Sequence, residues 1–231
     1  MCWSAGVSAA FAICHLATAA IVVKHCRWRS HTGAVFIRFC WFYALMELLQ
    51  MLQWLTLSYR AVNTLLTIGA YALIWLQPVL LTVFVDPGEY PSVRVVLQFM
   101  AWLTATMAMA SLTLATATGH RFAGVDALSE STNYGPQTTT CPGQQFGHLA
   151  WHFNVWSLEY TPNYAMYLVL IVTAFRFYGD ALKRTVALGW TLTLVAAVVR
   201  VGTSLELPAY WCLLSVFVDP LIVWHVLKKR Q

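Results

Sequence analysis

Charge is what this sequence has least of. Only 10% of its 231 residues are Asp, Glu, Lys or Arg, against about a quarter in an ordinary soluble domain. Hydrophobic residues make up 59% and mean hydropathy is +0.63, a balance that excludes a solvated globular domain and leaves a membrane protein. The six cysteines contain no CxxC pair, which argues against a zinc ribbon or a thioredoxin-like site. There is no Gly-rich phosphate loop, dinucleotide fingerprint or nucleophile elbow, and no span carries an interior Lys for a retinal-type Schiff base. The net charge of +5 implies no nucleic-acid partner, because the basic residues gather at the ends of apolar runs, where they report orientation. The first of those runs is too long for a signal-peptide core and has no basic segment before it, so no cleavable leader is expected.

What is present is a series of apolar runs at about 3–23, 34–58, 61–85, 95–118, 163–179, 182–202 and 207–227, each long enough to cross a bilayer. They predict an all-α fold, a single membrane domain over 1–231 built as a seven-transmembrane-helix bundle. The one long connection is 119–162, and its late part, FGHLAWHFNVWSLEY, is expected to lie as an amphipathic helix in the interface, the depth that Phe, Trp and Tyr prefer. Seven spans put the termini on opposite sides. One side collects Lys24, Arg27, Arg29, Arg38, Arg94, Arg176, Lys183, Arg184, Lys228, Lys229 and Arg230, leaving Arg60, Arg121 and Arg200 opposite. That asymmetry predicts a cytoplasmic C-terminus, an exterior N-terminus and an exterior 119–162 loop. Cys2 and Cys141 then share the exterior side and are a candidate disulfide.

LLTVFVDP at 80–87 recurs as LLSVFVDP at 213–220, identical at seven of eight positions. Both copies fall in spans of the same direction, so the echo fits a 3+1+3 plan of two parallel three-helix repeats around a central span, an arrangement in which binding sites lie at the repeat interface. The alternative is that Asp-Pro stops or bends each helix independently.

Glu47, in the middle of the second run, is the residue that most requires explanation. A charged side chain there costs roughly 2.5 kcal/mol or more unless it faces a bundle interior or a wet cavity. At helical spacing Glu47, Gln50 and Trp54 share a face, with Gln53 pointing elsewhere; that face is expected to look into protein. Gln77, beside Pro78, and Asp219, beside Pro220, add polar groups next to helix breaks. The first span has its own polar seam of Ser4, Ser8, His15 and Thr18. His148 and His152 form an i, i+4 pair that on a helix would present two imidazoles to a zinc ion, and Cys2, with a thiol beside an N-terminal amine once Met1 is removed, is a third candidate ligand. Zinc enters only through these residues, and no other cofactor is implied.

The opening MCWSAGVS resembles the MCFSAxAS start of a family of uncharacterised multi-span proteins from bacteria, with relatives in large DNA viruses. That family's second helix, similar to QQLIEGLLWL, corresponds to ALMELLQMLQWL at 44–55, with acid and amides permuted. Its Pro-containing third helix ending in an acid-Pro pair resembles 75–87, and its Trp-Cys near the start of the last helix resembles Trp211-Cys212. The resemblance implies a multi-pass helical fold and no particular activity. From the residues, the reading that unites most of them is translocation of a proton, ion or small polar solute across a lipid bilayer through a cavity centred on Glu47, with Gln50, Gln77 and Asp219 lining it. A membrane-embedded metal-dependent hydrolase on His148 and His152, and a non-catalytic receptor or scaffold, are the alternatives.

Overall fold

The structure, a computed structural model, describes residues 4–26, 30–121, 133–143, 146–202 and 206–228. Among them are seven helices: α1 (Ala5–His25), α2 (His31–Leu55), α3 (Arg60–Val83), α4 (Pro91–Thr118), α5 (Tyr164–Arg176), α6 (Asp180–Val201) and α7 (Leu207–Lys228). All but α5 are long and apolar enough to cross a membrane. The 13 residues of α5 reach only about 20 Å at 1.5 Å per residue, less than the roughly 30 Å of a bilayer's hydrocarbon core. Asn163 starts it, its side chain accepting from the Met166 N–H at 3.0 Å, a regular N-cap.

The outward helix faces are apolar, with Val199 83%, Phe99 65% and Val172 60% exposed, while small residues let helices close up inside. On α4 the buried face is Leu97, Ala101, Thr104, Ala105, Ala108, Ser111, Leu112 and Ala115. On α6, a Cβ added at Gly189 would stand 3.1 Å from Leu221 and Val218 of α7, so the helices cross closely there.

One end of the bundle gathers the C-terminus of α3, the N-terminus of α2 and the α5–α6 turn. There His31 meets the Phe84 carbonyl at 3.2 Å, and the Asp86 N–H donates to the Phe177 carbonyl. The opposite end is covered by an antiparallel hairpin, β1 (Thr139–Pro142) and β2 (Leu149–His152), with Thr140 opposite Trp151 and Cys141 opposite Ala150. Asn63, near the start of α3, holds β1 by its main chain, its amide donating to the Thr140 carbonyl and accepting from the Thr140 N–H, both at 2.8 Å. Gln53, at the end of α2, joins the two strands: it donates to the Thr140 hydroxyl at 2.9 Å and accepts from the Trp151 indole at 3.1 Å.

The interfacial helix expected within 146–160 is therefore a strand and its extension. Leu149–His152 pairs with Thr139–Pro142, and Leu149, Trp151, Phe153 and Val155 are all fully buried, with Ala150 and Asn154 nearly so. Their aromatic and β-branched side chains fill the space between the hairpin and the helix ends, and this packing outweighs the interfacial preference.

The two copies of the octapeptide also differ. After Phe84 the chain leaves α3, and the Asp86 carboxylate accepts from the Gly88 and Glu89 N–H groups at 2.8 and 3.4 Å, closing a turn. Around Asp219 the chain tightens into a 3₁₀ turn at Ser215–Val218 and then continues as helix. Pro220 falls at the start of the new α-helical turn, where its missing N–H costs nothing. Gly88 after the first Asp-Pro and Leu221 after the second account for the difference: one permits a turn, the other continues the helix.

Candidate functional site

A file of buried polar side chains runs along the seam of α1, α2 and α7. On α1 the buried face is Ser8, Ala12, His15, Thr18, Ala19 and Val22, and on α2 it includes Cys40, Tyr43, Glu47, Gln50 and Gln53. These stripes recur every three or four residues, so each forms one side of a helix. The expected Glu47–Gln50 face does look into protein, and both residues are fully buried. Gln53, expected to point away, is buried as well, while Trp54 is only half-buried, because the hairpin reaches down to take both polar ends of the Gln53 amide.

From the hairpin end inward, the Gln50 amide donates to the Ala209 carbonyl of α7 at 3.4 Å, and its oxygen has no partner. One turn further, neither oxygen of Glu47 has a hydrogen-bond partner; the Ser8 hydroxyl of α1 and the Cys212 thiol of α7 are its polar neighbours. Tyr43, another turn along α2, accepts from the Gln77 amide, and the Tyr167 hydroxyl of α5 donates to the Gln77 oxygen. Gln77 thus ties three helices together beside Pro78, although the α-helix continues through it.

The His15 ring lies 5.9 Å from that of Tyr43. Its Nδ1 is 3.0 Å from Asp219 Oδ1 and its Nε2 3.3 Å from the Ser215 hydroxyl. Cys40 directs its thiol at the same Asp219 oxygen at 4.0 Å, and the other oxygen is unpartnered. Ser215, His15 and Asp219 stand in the order that a nucleophile, general base and orienting acid take, but none of them lines a cavity of about 260 Å³ elsewhere in the bundle.

That cavity, of about 260 Å³, opens among α3, α5, α6 and α7; Gln77, Tyr164, Tyr167, Trp211 and Cys212 are in its wall. Of the four residues expected to line a site, Gln77 borders it, whereas Glu47, Gln50 and Asp219 do not. Glu47 is a neighbour of Cys212, which is in the wall.

His148 and His152 are not brought together. They lie at the start and end of extended chain, where four residues span about 13 Å, too far to share a metal ion. His148 is fully buried, its Nδ1 accepting from the Leu149 N–H at 2.7 Å and its ring against Tyr210; burial pulls its pKa down to about 4, against a smaller opposing effect of that hydrogen bond. Burial also lowers His152. Among the described residues no three His, Cys, Asp or Glu side chains gather as a metal site. Cys141 is a free, half-buried thiol, its pKa raised by burial and by Glu206; Cys2, proposed as its disulfide partner and as a metal ligand, lies outside the described residues.

Glu206 had no part in the sequence reading. Its carboxylate accepts from the Phe146 N–H at 3.1 Å and the His148 N–H at 2.7 Å, and a Cβ on Gly143 would overlap it. It clips the hairpin to the start of α7. Only the acid-next-to-helix-start pattern could have pointed to it. His15 was visible as part of the α1 seam, but nothing in the order of residues pairs it with Asp219.

The profile of a family of unknown function, DUF5765, matches residues 6–231. The chain is 30% identical to "Uncharacterized protein R287" of Acanthamoeba polyphaga mimivirus over 241 residues, covering 98% of this chain and 96% of the viral protein. No solved structure matches.

Proposed function

The chain belongs to the DUF5765 family, whose function is unknown, and on that premise we propose that it is a multi-pass membrane protein that moves protons along the file from Gln50 and Glu47 through Tyr43 to His15 and Asp219. The observation that carries this reading is the Glu47 carboxyl group, buried in mid-bundle with both oxygens unpartnered. An acid kept there without an ion-pair partner among the described residues has a proton as its natural cargo, and intramembrane acids and histidines in a row are the usual material of proton relays.

The order of groups supports the direction. Glu47 and Tyr43 are one turn apart on the same face, Tyr43 adjoins His15, and His15 bonds Asp219, so ionisable side chains succeed one another from the hairpin end toward the opposite end. In the orientation set by the basic residues, Lys24, Arg94, Arg176, Lys183, Arg184 and Lys228 mark that opposite end as cytoplasmic. The hairpin then covers the exterior mouth, and α5, too short to cross alone, leaves the bilayer thinner or filled by its neighbours there.

The test is a proteoliposome assay with a trapped pH-sensitive dye and a potassium-diffusion potential. Wild-type protein is expected to acidify or alkalinise the lumen according to the sign of the potential, and Glu47→Gln to lower that flux at least tenfold while the purified variant keeps its melting temperature. Flux unchanged by Glu47→Gln, or none from the wild type under either sign, overturns the reading.

A further inference from the structure

The polar file is shut at its hairpin end. Gln53 stands one turn beyond Gln50 and is the outermost buried residue of α2. The hairpin takes both ends of its amide, the Thr140 hydroxyl accepting at 2.9 Å and the Trp151 indole donating at 3.1 Å. Gln50, Gln53, Thr140 and Trp151 are all buried, so water at this end meets the hairpin before it meets the file.

The seat of the hairpin is built to be left. Its own pairing covers four residues a strand, too few to stand alone, and side chains of the helices hold it. Asn63 bonds both main-chain groups of Thr140 and accepts from the Thr139 hydroxyl at 3.1 Å; Glu206 accepts from the Phe146 and His148 N–H groups. Amides, hydroxyls and a carboxylate exchange such partners for water at small net cost. The apolar side of the hairpin has a second home too. Phe153 packs on Tyr71 at 4.6 Å and Trp151 is enclosed, but rings of this kind also favour the headgroup layer, and Trp156 and Tyr160, a few residues after β2, already stand 40% and 67% exposed. Both the polar and the apolar contacts of the seat therefore have a substitute outside it, which is what a reversible closure requires.

We propose that the β1–β2 hairpin is the gate of the file. Seated, as in this structure, it keeps water from Gln50 and Glu47; it lifts when Gln53 lets go of Thr140 and Trp151, and water then reaches both. Trp151 is the plug, and Asn63 and Glu206 set how firmly it is held. This gate presupposes that the file conducts protons, and it regulates when the file does so.

Two cross-links hold the gate shut. A Cβ on Gly143 would stand 2.5 Å from Glu206 Cγ, within the reach of a disulfide, so Gly143→Cys with Glu206→Cys ties the hairpin to α7. Asn63→Cys with Thr139→Cys, at side chains that meet at 3.1 Å, ties it to α3. Each pair is combined with Cys141→Ser, which removes the free thiol of β1. Proton flux of the full chain is measured in the same proteoliposomes after oxidation by copper phenanthroline and again after reduction by a phosphine, with the bond confirmed by mass spectrometry. Oxidation is expected to lower flux at least tenfold and reduction to restore it, while Cys141→Ser without a pair conducts equally in both. Glu206→Gln, which loosens the seat without any cross-link, is expected to raise flux at least twofold. A cross-linked form that conducts as well as its reduced form, while Glu47→Gln still blocks conduction, overturns the gate and leaves the file standing. Flux not raised by Glu206→Gln overturns the gate as well, even where neither pair folds or closes. No flux from the wild type under either sign of potential overturns file and gate together.

Discussion

His15 and Asp219, 204 positions apart in the chain, meet at 3.0 Å with both side chains almost completely shielded from solvent. The contact closes the bundle by joining its first helix to its last. Because His15 Nδ1 and Asp219 Oδ1 are partners in a buried pair, removing one is worse than removing both.

The first prediction follows from that asymmetry. His15→Leu leaves the Asp219 carboxyl in an apolar setting with only the Cys40 thiol and is expected to destabilise the protein by about 3 kcal/mol. Adding Asp219→Asn is expected to restore much of the loss. Thermal unfolding of the two single variants and the double variant in one detergent gives the coupling; additive losses would mean that the pair contributes nothing as a pair.

Glu47 predicts a change of the opposite sign. Since neither oxygen is bonded, Glu47→Leu exchanges a buried group without partners for one of similar size that belongs there, and stability is expected to rise by about 1 to 3 kcal/mol. The same variant is expected to lose proton flux. A lower melting temperature would show that the neighbouring Ser8 hydroxyl is a true partner of the carboxyl group.

The hairpin seat can be tested at Asn63, whose side-chain amide stands in for a neighbouring strand by bonding both the N–H and the carbonyl of Thr140. Asn63→Leu leaves those groups buried and unpaired, at about 1 to 3 kcal/mol. Hydrogen exchange is expected to accelerate over 139–152 with the helices unchanged, and Cys141 is expected to react faster with maleimide. Uniform acceleration throughout the bundle would show the hairpin and helices to be one cooperative unit.

His148 gives a pH dependence. Its ordinary pKa of 6.5 is lowered to about 4 in the fold, so the unfolded chain binds the proton more readily. Stability from this residue is complete above about pH 6.5 and is lost as pH falls toward 4, by up to a few kcal/mol. Exchange protection of the hairpin is expected to fall over that window, and His148→Phe to remove most of the dependence. An unaltered profile in His148→Phe would place the pH sensitivity elsewhere.

Glycine at 143 predicts a steric effect. A Cβ there would overlap the Glu206 carboxylate, so Gly143→Ala is expected to displace the clip between hairpin and α7 and accelerate exchange at the Phe146 and His148 amides. Glu206→Gln, which weakens two charge-assisted hydrogen bonds without adding bulk, is expected to act in the same direction. Normal exchange in both variants would remove Glu206 as the clip.

The sequence by itself determined the helices, because lipid-length apolar runs and sparse charge allow little else, and it marked Glu47 and Gln50 as facing protein because their cost elsewhere is prohibitive. The tertiary structure alone decided the partners. The octapeptides around Asp86 and Asp219 are nearly the same, and Gly88 against Leu221 explains why one chain turns and the other continues as helix; that Asp219 receives a histidine from the far end of the chain depends on the helices packed against it. The hairpin was decided in the same way. Trp151, Phe153 and Val155 carry the pattern of a strand, but four-residue strands are stable only where Gln53 and Asn63 on two helices complete their hydrogen bonds, and that depends on how the bundle closes.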